Sequence, residues 1–155
     1  MISASIIIPA KDEVGNLTLI LPILKKIYKN CEIIIIDKSS TDQKHSIKKI
    51  CQKFSIKLIH QISNGKGNAL REAVKYTNKK YVIFFDADCS HNPYDIFRFL
   101  DLFNKFPWID HIGGSRLRGG SDELFNGLDH ILRFFGSIVI NIAINFKFKG
   151  NFTDS

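Results

Sequence analysis

Tyr81-Val82-Ile83-Phe84-Phe85-Asp86-Ala87-Asp88 is an apolar run of five residues that ends in two carboxylates two positions apart. An apolar run without alternation reads as a strand covered on both faces, as strands of a parallel sheet are. The carboxylates then sit at that strand's carboxyl end. Hard oxygen ligands at the rim of a sheet suit a divalent cation and the diphosphate it neutralises. The stretch predicts metal-assisted chemistry on a nucleotide.

Outward from this strand, short apolar runs alternate with helical patterns. Ser5–Ile8, Glu32–Ile36, Lys57–His60 and His111–Gly113 read as further strands. Between them, Leu17, Ile20, Leu21, Leu24, Ile27 and Tyr28 form one helical stripe, with a kink expected at Pro22. Ile47, Ile50, Cys51 and Phe54 form a second, and Ala69, Leu70, Ala73 and Val74 a third. Ile96, Phe99, Leu100 and Phe103 mark a fourth, with Asn92 expected as N-cap and Pro93 at the first helical position. Strand and helix in alternation imply an α/β fold, a mostly parallel sheet with helices on both faces. At 155 residues, 45% hydrophobic and 24% charged, the chain reads as one compact domain over 1–155 without repeats or low complexity.

Charge is unevenly spread. Residues 1–80 hold 15 Lys/Arg against 6 Asp/Glu, whereas 81–155 hold 7 against 9. The excess gathers at Lys25, Lys26, Lys29, Lys44, Lys48, Lys49 and Lys53, a solvated helix face or a surface for anionic headgroups or substrate. Nucleic acid is not expected as a partner, because no interleaved aromatics or recognition motif accompany the lysines. Cys31, Cys51 and Cys89 make neither a metal-type pair nor a disulfide framework, and no signal peptide opens the chain. A reduced, cytoplasmic setting is expected.

In a parallel sheet the ligand sits beyond the carboxyl ends of the strands. The segments there are 9–13, 37–42, 63–68, 86–91 and 114–116, all polar and charged. Gly65-Lys66-Gly67 is not a phosphate loop of the nucleotide-hydrolase kind, yet glycines before a helix let backbone N–H groups approach an anion. Asp37 and Asp42 also suit turns and helix starts, and Lys66, Arg71 and His91 suit a solvated surface. No nucleophile elbow or Ser-His-Asp arrangement supports a covalent hydrolase.

Read in order, Ile-Ile-Pro-Ala-Lys-Asp-Glu (7–13), Asp-Lys-Ser-Ser-Thr-Asp (37–42), Asn-Gly-Lys-Gly-Asn-Ala-Leu-Arg (64–71), Asp-Ala-Asp-Cys-Ser-His (86–91) and the Gly-Ser-Arg stretch of 114–120 resemble the motifs of family 2 glycosyltransferases. The resemblance is greatest to the polyprenyl-phosphate, dolichol-phosphate-type sugar transferases. It implies a GT-A fold, a GDP- or UDP-sugar donor and inversion at the anomeric carbon. By the same resemblance, Pro9, Glu13 and Asp37 border the nucleoside and Asp86 lies at the diphosphate; Lys66 and Arg71, at the glycine-marked helix start, are candidate diphosphate contacts on their own position. Asp86 and Asp88 hold Mg²⁺ or Mn²⁺, with His91 as a further candidate ligand, and Arg116 pairs with a donor or acceptor phosphate. Two departures stand out: Lys38 replaces a second acidic residue, and Lys11-Asp12 replaces the commoner Tyr-Asn.

Leu124–Phe148 reads as an interfacial or acceptor-side helix. Its uncharged run of 13 residues, Phe134–Phe146, falls short of the roughly 20 that span a bilayer. A buried helix packed on the sheet is the competing reading, and by resemblance Arg133 and Asn141 lie on the acceptor side. A polyprenyl phosphate is already anionic and needs no strong base. The candidate bases for a sugar-hydroxyl acceptor, Asp122, Glu123, Asp129 and Asp154, are each weak. The expected activity is hexose transfer to a polyprenyl phosphate at the inner face of a membrane. Transfer to a saccharide hydroxyl in envelope polysaccharide synthesis and a non-catalytic nucleotide-binding remnant are the alternatives. Phe152-Thr153-Asp154-Ser155 resembles the opening of the family's next motif, so a C-terminally shortened catalytic domain is expected.

Overall fold

A computed structural model describes residues 2–114, 138–140 and 142–147. The chain divides into two compact units, Met1–Asp110 and His111–Ser155. The first carries four strands and four helices in alternation: β1 (Ala4–Ala10), α1 (Val14–Ile27), β2 (Glu32–Asp37), α2 (Thr41–Lys53), β3 (Lys57–His60), α3 (Lys66–Val74), β4 (Tyr81–Phe84) and α4 (Asp95–Lys105). All strand pairs are parallel, in the order β3-β2-β1-β4.

The continuous apolar runs of β1 and β2 are explained by cover on both faces. Ile6, Ile8, Ile33 and Ile35 pack against Leu17, Leu21 and Leu24 of α1, Ile47 of α2 and Ile96 and Leu100 of α4. On the other face, Ile7, Ile34 and Ile36 meet Ala69 and Ala73 of α3. Alanine there carries no long side chain, which lets this helix lie close to the sheet. Each buried isoleucine removes enough apolar surface from water to contribute about 1.5–3 kcal/mol.

Three expectations are corrected. His111–Gly113 is not a strand and pairs with none among the described residues. Its run is too short to secure a sheet edge, whereas β1 and β2 are pinned by neighbours on either side. The fourth helix starts at Asp95, not beside Asn92. Asn92 Oδ1 accepts from Tyr94 N and Asn92 O from Asp95 N, both at 3.0 Å, so the asparagine closes a turn of its own before the helix begins. The third loop is shorter than read, because Lys66, Gly67 and Asn68 already belong to α3. Pro22 lies inside α1, which runs through it as one helix.

In the second unit, residues 138–140 and 142–147 are helical and expose Val139, Ile140, Ile142 and Phe146. No helix among the described residues is long and apolar enough to cross a membrane. Arg116, Arg133 and Asn141, and most of Leu124–Phe148, lie outside the described residues, as do Asp122, Glu123, Asp129 and Asp154.

Candidate functional site

The strand order reverses between β1 and β4, and a doubly wound sheet binds ligands at such a switch point. Local geometry opens the space. The last β1 residue paired with β4 is Ile7, opposite Phe84, whereas β1 continues to Ala10 beside β2. Beyond Ile7 the two chains separate around a cleft of about 540 Å³, whose walls include Pro9, Glu13, Lys38, Lys66, Asp86 and Asp88.

Four of these residues come from the end of β4 and the start of α3, or from the loop after β1. Gly65 precedes α3 at φ 90°, a conformation L side chains rarely adopt, and turns the chain so that the helix begins at the cleft. The first-turn N–H groups of any helix lack intrahelical partners and favour an anion. Lys66 is the first residue of that helix, and its Nζ lies 2.6 Å from Asp86 Oδ1. Glu13 stands at the N-cap position of α1, and its Oε2 accepts from Asn16 Nδ2 at 2.6 Å.

Asp88 is set by a tight turn. Cys89 takes a left-handed backbone, φ 62°, and Ser90 N donates to Asp88 Oδ1 at 3.0 Å. The hydroxyl and backbone N–H of Ser90 hold the Asp88 carboxyl below the usual carboxylate range, so it is anionic near neutral pH. His91 turns Nδ1 towards the backbone N–H of Asp86 at 3.5 Å and packs its ring edge-on against Phe85. Among the described residues, no three His, Cys, Asp or Glu side chains converge as a metal cluster. Asp86 and Asp88 nonetheless fit a Mg²⁺ or Mn²⁺ ion of the kind that takes one or two carboxylates and completes its shell with substrate phosphates and water.

Asp37 is buried, and its Oδ1 accepts from Ser39 N at 3.1 Å and Ser39 Oγ at 2.5 Å. Its Oδ2 is buried without a hydrogen-bond partner, with His60 Nδ1 3.9 Å away. The neighbouring Lys38, not Asp37, stands on the cleft wall, and its Nζ donates to the carbonyls of Ile62 at 2.9 Å and Gln61 at 3.4 Å. Arg71 is exposed on α3 and is not part of the cleft wall.

Asp12, read above only as a departure from a motif, and Glu72, which the sequence reading did not single out, hold the loops together. Asp12, at φ 60°, donates its N–H to Ser39 Oγ at 2.7 Å and accepts from Ser40 N and Oγ. Glu72 accepts from Ile62 N at 3.0 Å, Ser63 N at 2.9 Å and Ser63 Oγ. Their partners lie 28 and about 10 positions away, too far for periodicity or spacing to reveal.

The sequence pattern of glycosyl transferase family 2 matches residues 5–154. The chain belongs to glycosyl transferase family 2. Among curated members it is 31% identical over 115 residues to a dolichyl-phosphate beta-glucosyltransferase of Saccharomyces cerevisiae, covering 65% of this chain and 34% of that protein. It is 27% identical over 123 residues to the glycosyltransferase AglJ of Haloferax volcanii, covering 79% and 38%. This family 2 chain thus matches little more than a third of those relatives' length. Its fold is GT-A. Mycobacterium tuberculosis glucosyl-3-phosphoglycerate synthase, crystallised with Mn²⁺, uridine diphosphate and glucosyl-3-phosphoglycerate, superposes with a TM-score of 0.56 at 19% identity, covering 65% of this chain and 39% of that one. S. aureus TarS superposes with a TM-score of 0.57 at 21% identity, covering 81% and 40%.

Proposed function

We propose that this chain carries the donor site of an inverting glycosyltransferase that moves a hexose from a nucleotide sugar to a polyprenyl phosphate. The observation that carries the reading is the convergence of Lys66, Asp86 and Asp88 on one cleft at the sheet's switch point. A nucleoside diphosphate is the ligand whose charge matches this set: an ammonium and a helix start for its oxygens, and a carboxylate pair for the cation that accompanies it. A Mg²⁺ or Mn²⁺ ion held by Asp86 and Asp88 would supply charge stabilisation to the leaving nucleoside diphosphate.

The protein's own residues orient the donor. Pro9 and Glu13 line the cleft, and the carboxylate of Glu13 accepts from sugar hydroxyl or ring N–H groups. Lys66 faces the diphosphate oxygens. Arg116 takes a phosphate, and Arg133 and Asn141 serve the acceptor. A polyprenyl phosphate oxygen attacks as an anion, so catalysis rests on positioning and charge rather than on a strong base. Support for a lipid phosphate comes from the yeast dolichyl-phosphate relative and from the exposed apolar side chains of 138–147. Those side chains suit peripheral contact with a membrane at its cytoplasmic face; in the first unit, the lysines of α1 and α2 suit anionic headgroups.

Calorimetric titration of UDP and GDP, with Mn²⁺, with Mg²⁺ and with chelator, tests the donor site. Affinity is expected to rise with the cation in the natural protein and to lose that gain in Asp88→Asn, with the fold intact by circular dichroism. Equal affinity in chelator sinks the metal role. Incorporation of labelled hexose into a short polyprenyl phosphate tests the acceptor, and incorporation into saccharide alone overturns it.

A further inference from the structure

Lys66 Nζ stands 2.6 Å from Asp86 Oδ1, on the carboxylate that the donor-site reading gives to the divalent cation. We propose that Lys66 is a tethered competitor of that cation: it occupies Asp86 while the cleft lacks a diphosphate and leaves it when the diphosphate arrives. Lys66 thereby couples metal binding to donor binding. The inference rests on the reading of Asp86 and Asp88 as the cation's ligands.

The competition is electrostatic. A divalent cation held by the Asp86 carboxylate, together with the Lys66 ammonium already on it, would gather three positive charges at one carboxylate. The two cations therefore compete for the Asp86 carboxylate, each weakening the other's hold. The Lys66 side chain can move. It is 63% exposed and hangs on a flexible four-carbon stem from the first residue of α3, whereas Asp86 is only 20% exposed and anchored at the strand end. A diphosphate beside the helix start offers Lys66 a second set of anionic oxygens within the same cleft. Taking them frees Asp86. The carboxylate pair is thus guarded against cations arriving without donor, and by linkage whatever each ligand adds to the other's affinity is reciprocal.

The test is a calorimetric cycle on the whole chain: Mn²⁺ alone, UDP in chelator, and Mn²⁺ in saturating UDP, for the natural protein, Lys66→Met and Lys66→Arg. Lys66→Met is expected to bind Mn²⁺ alone about fivefold more tightly and UDP in chelator about fivefold more weakly, the scale of one partly exposed ion pair. Its Mn²⁺ affinity in saturating UDP should stay close to the natural value, so the coupling factor falls. Lys66→Arg, which keeps the charge, should keep the natural coupling. Unchanged or weakened Mn²⁺ binding in Lys66→Met, alongside weakened UDP binding, overturns the proposal and leaves Lys66 a plain phosphate contact. A natural protein that binds neither Mn²⁺ nor UDP overturns the donor-site reading itself, an outcome distinct from the first.

Discussion

Asp12 Oδ1 accepts from both the backbone N–H and the hydroxyl of Ser40, at 2.8 and 2.7 Å, and so binds the loop after β1 to the loop after β2. Both loops contribute to the cleft wall, through Lys11, Glu13 and Lys38. These bonds, with the favourable charge of Lys11, hold the Asp12 carboxyl below its ordinary value of 3.8. Aspartate and asparagine both tolerate the left-handed backbone that Asp12 adopts, and both present an acceptor oxygen. Asp12→Ala is therefore expected to lower the thermal midpoint and weaken nucleoside diphosphate binding together, while Asp12→Asn stays close to the natural protein. Parallel calorimetry and thermal scans on the two variants check this. Equal losses in both would mean that the charge, not the acceptor geometry, ties the loops.

Glu72 predicts a pH dependence. Hydrogen bonds from Ser63 and the Ile62 N–H hold its carboxyl below its ordinary value of 4.5. A group whose folded pKa is depressed contributes stability above its unfolded value, and that contribution is lost as pH falls through the folded pKa. The natural protein should lose stability on acidification below about pH 4.5, and Glu72→Gln should flatten that part of the curve. Urea midpoints measured between neutrality and acid give the slopes.

Tyr28 is almost fully buried, and its hydroxyl donates to the Pro93 carbonyl at 2.7 Å, joining α1 to the segment that leads into α4. Tyr28→Phe leaves that carbonyl without its partner. The expected cost is about 1–2 kcal/mol, read as a lower denaturant midpoint at unchanged m.

Gly65 and Gly67 should respond oppositely to alanine. Neither has any atom within 4 Å of where a Cβ would sit, so packing does not decide the matter. Gly65 holds φ 90°, and Gly65→Ala should cost about 1–3 kcal/mol in backbone strain. Gly67 lies inside α3, and Gly67→Ala should stabilise by about 0.5–1 kcal/mol. Chemical denaturation of both variants gives the two signs directly.

Phe146 is 90% exposed on the helical residues 142–147. If this apolar surface meets a bilayer, the protein floats with anionic vesicles at low salt and less at high salt, and Phe146→Asp releases it. Failure to float at low salt counts against the membrane contact.

The strands and helices that build the core were legible because their signals are local. Ile6–Ile8 and Ile33–Ile36 are continuous apolar runs, and the stripes of α1 and α2 recur at helical spacing, whatever lies elsewhere in the chain. Alternation of the two patterns implied parallel strands, and parallel strands implied that Glu13, Lys66, Asp86 and Asp88 share one edge. Which loop side chains line the cleft was not legible. Asp37 lies buried under Ser39 while Lys38 takes the cleft wall, and Asp12 reaches 28 residues along the chain to do its work. The start of α4 was misplaced because Asn92 spends its side chain on a separate turn. A loop has no repeating backbone pattern to set its side chains. Their directions follow from hydrogen bonds between segments distant in sequence, and those exist only once the sheet has brought the segments together.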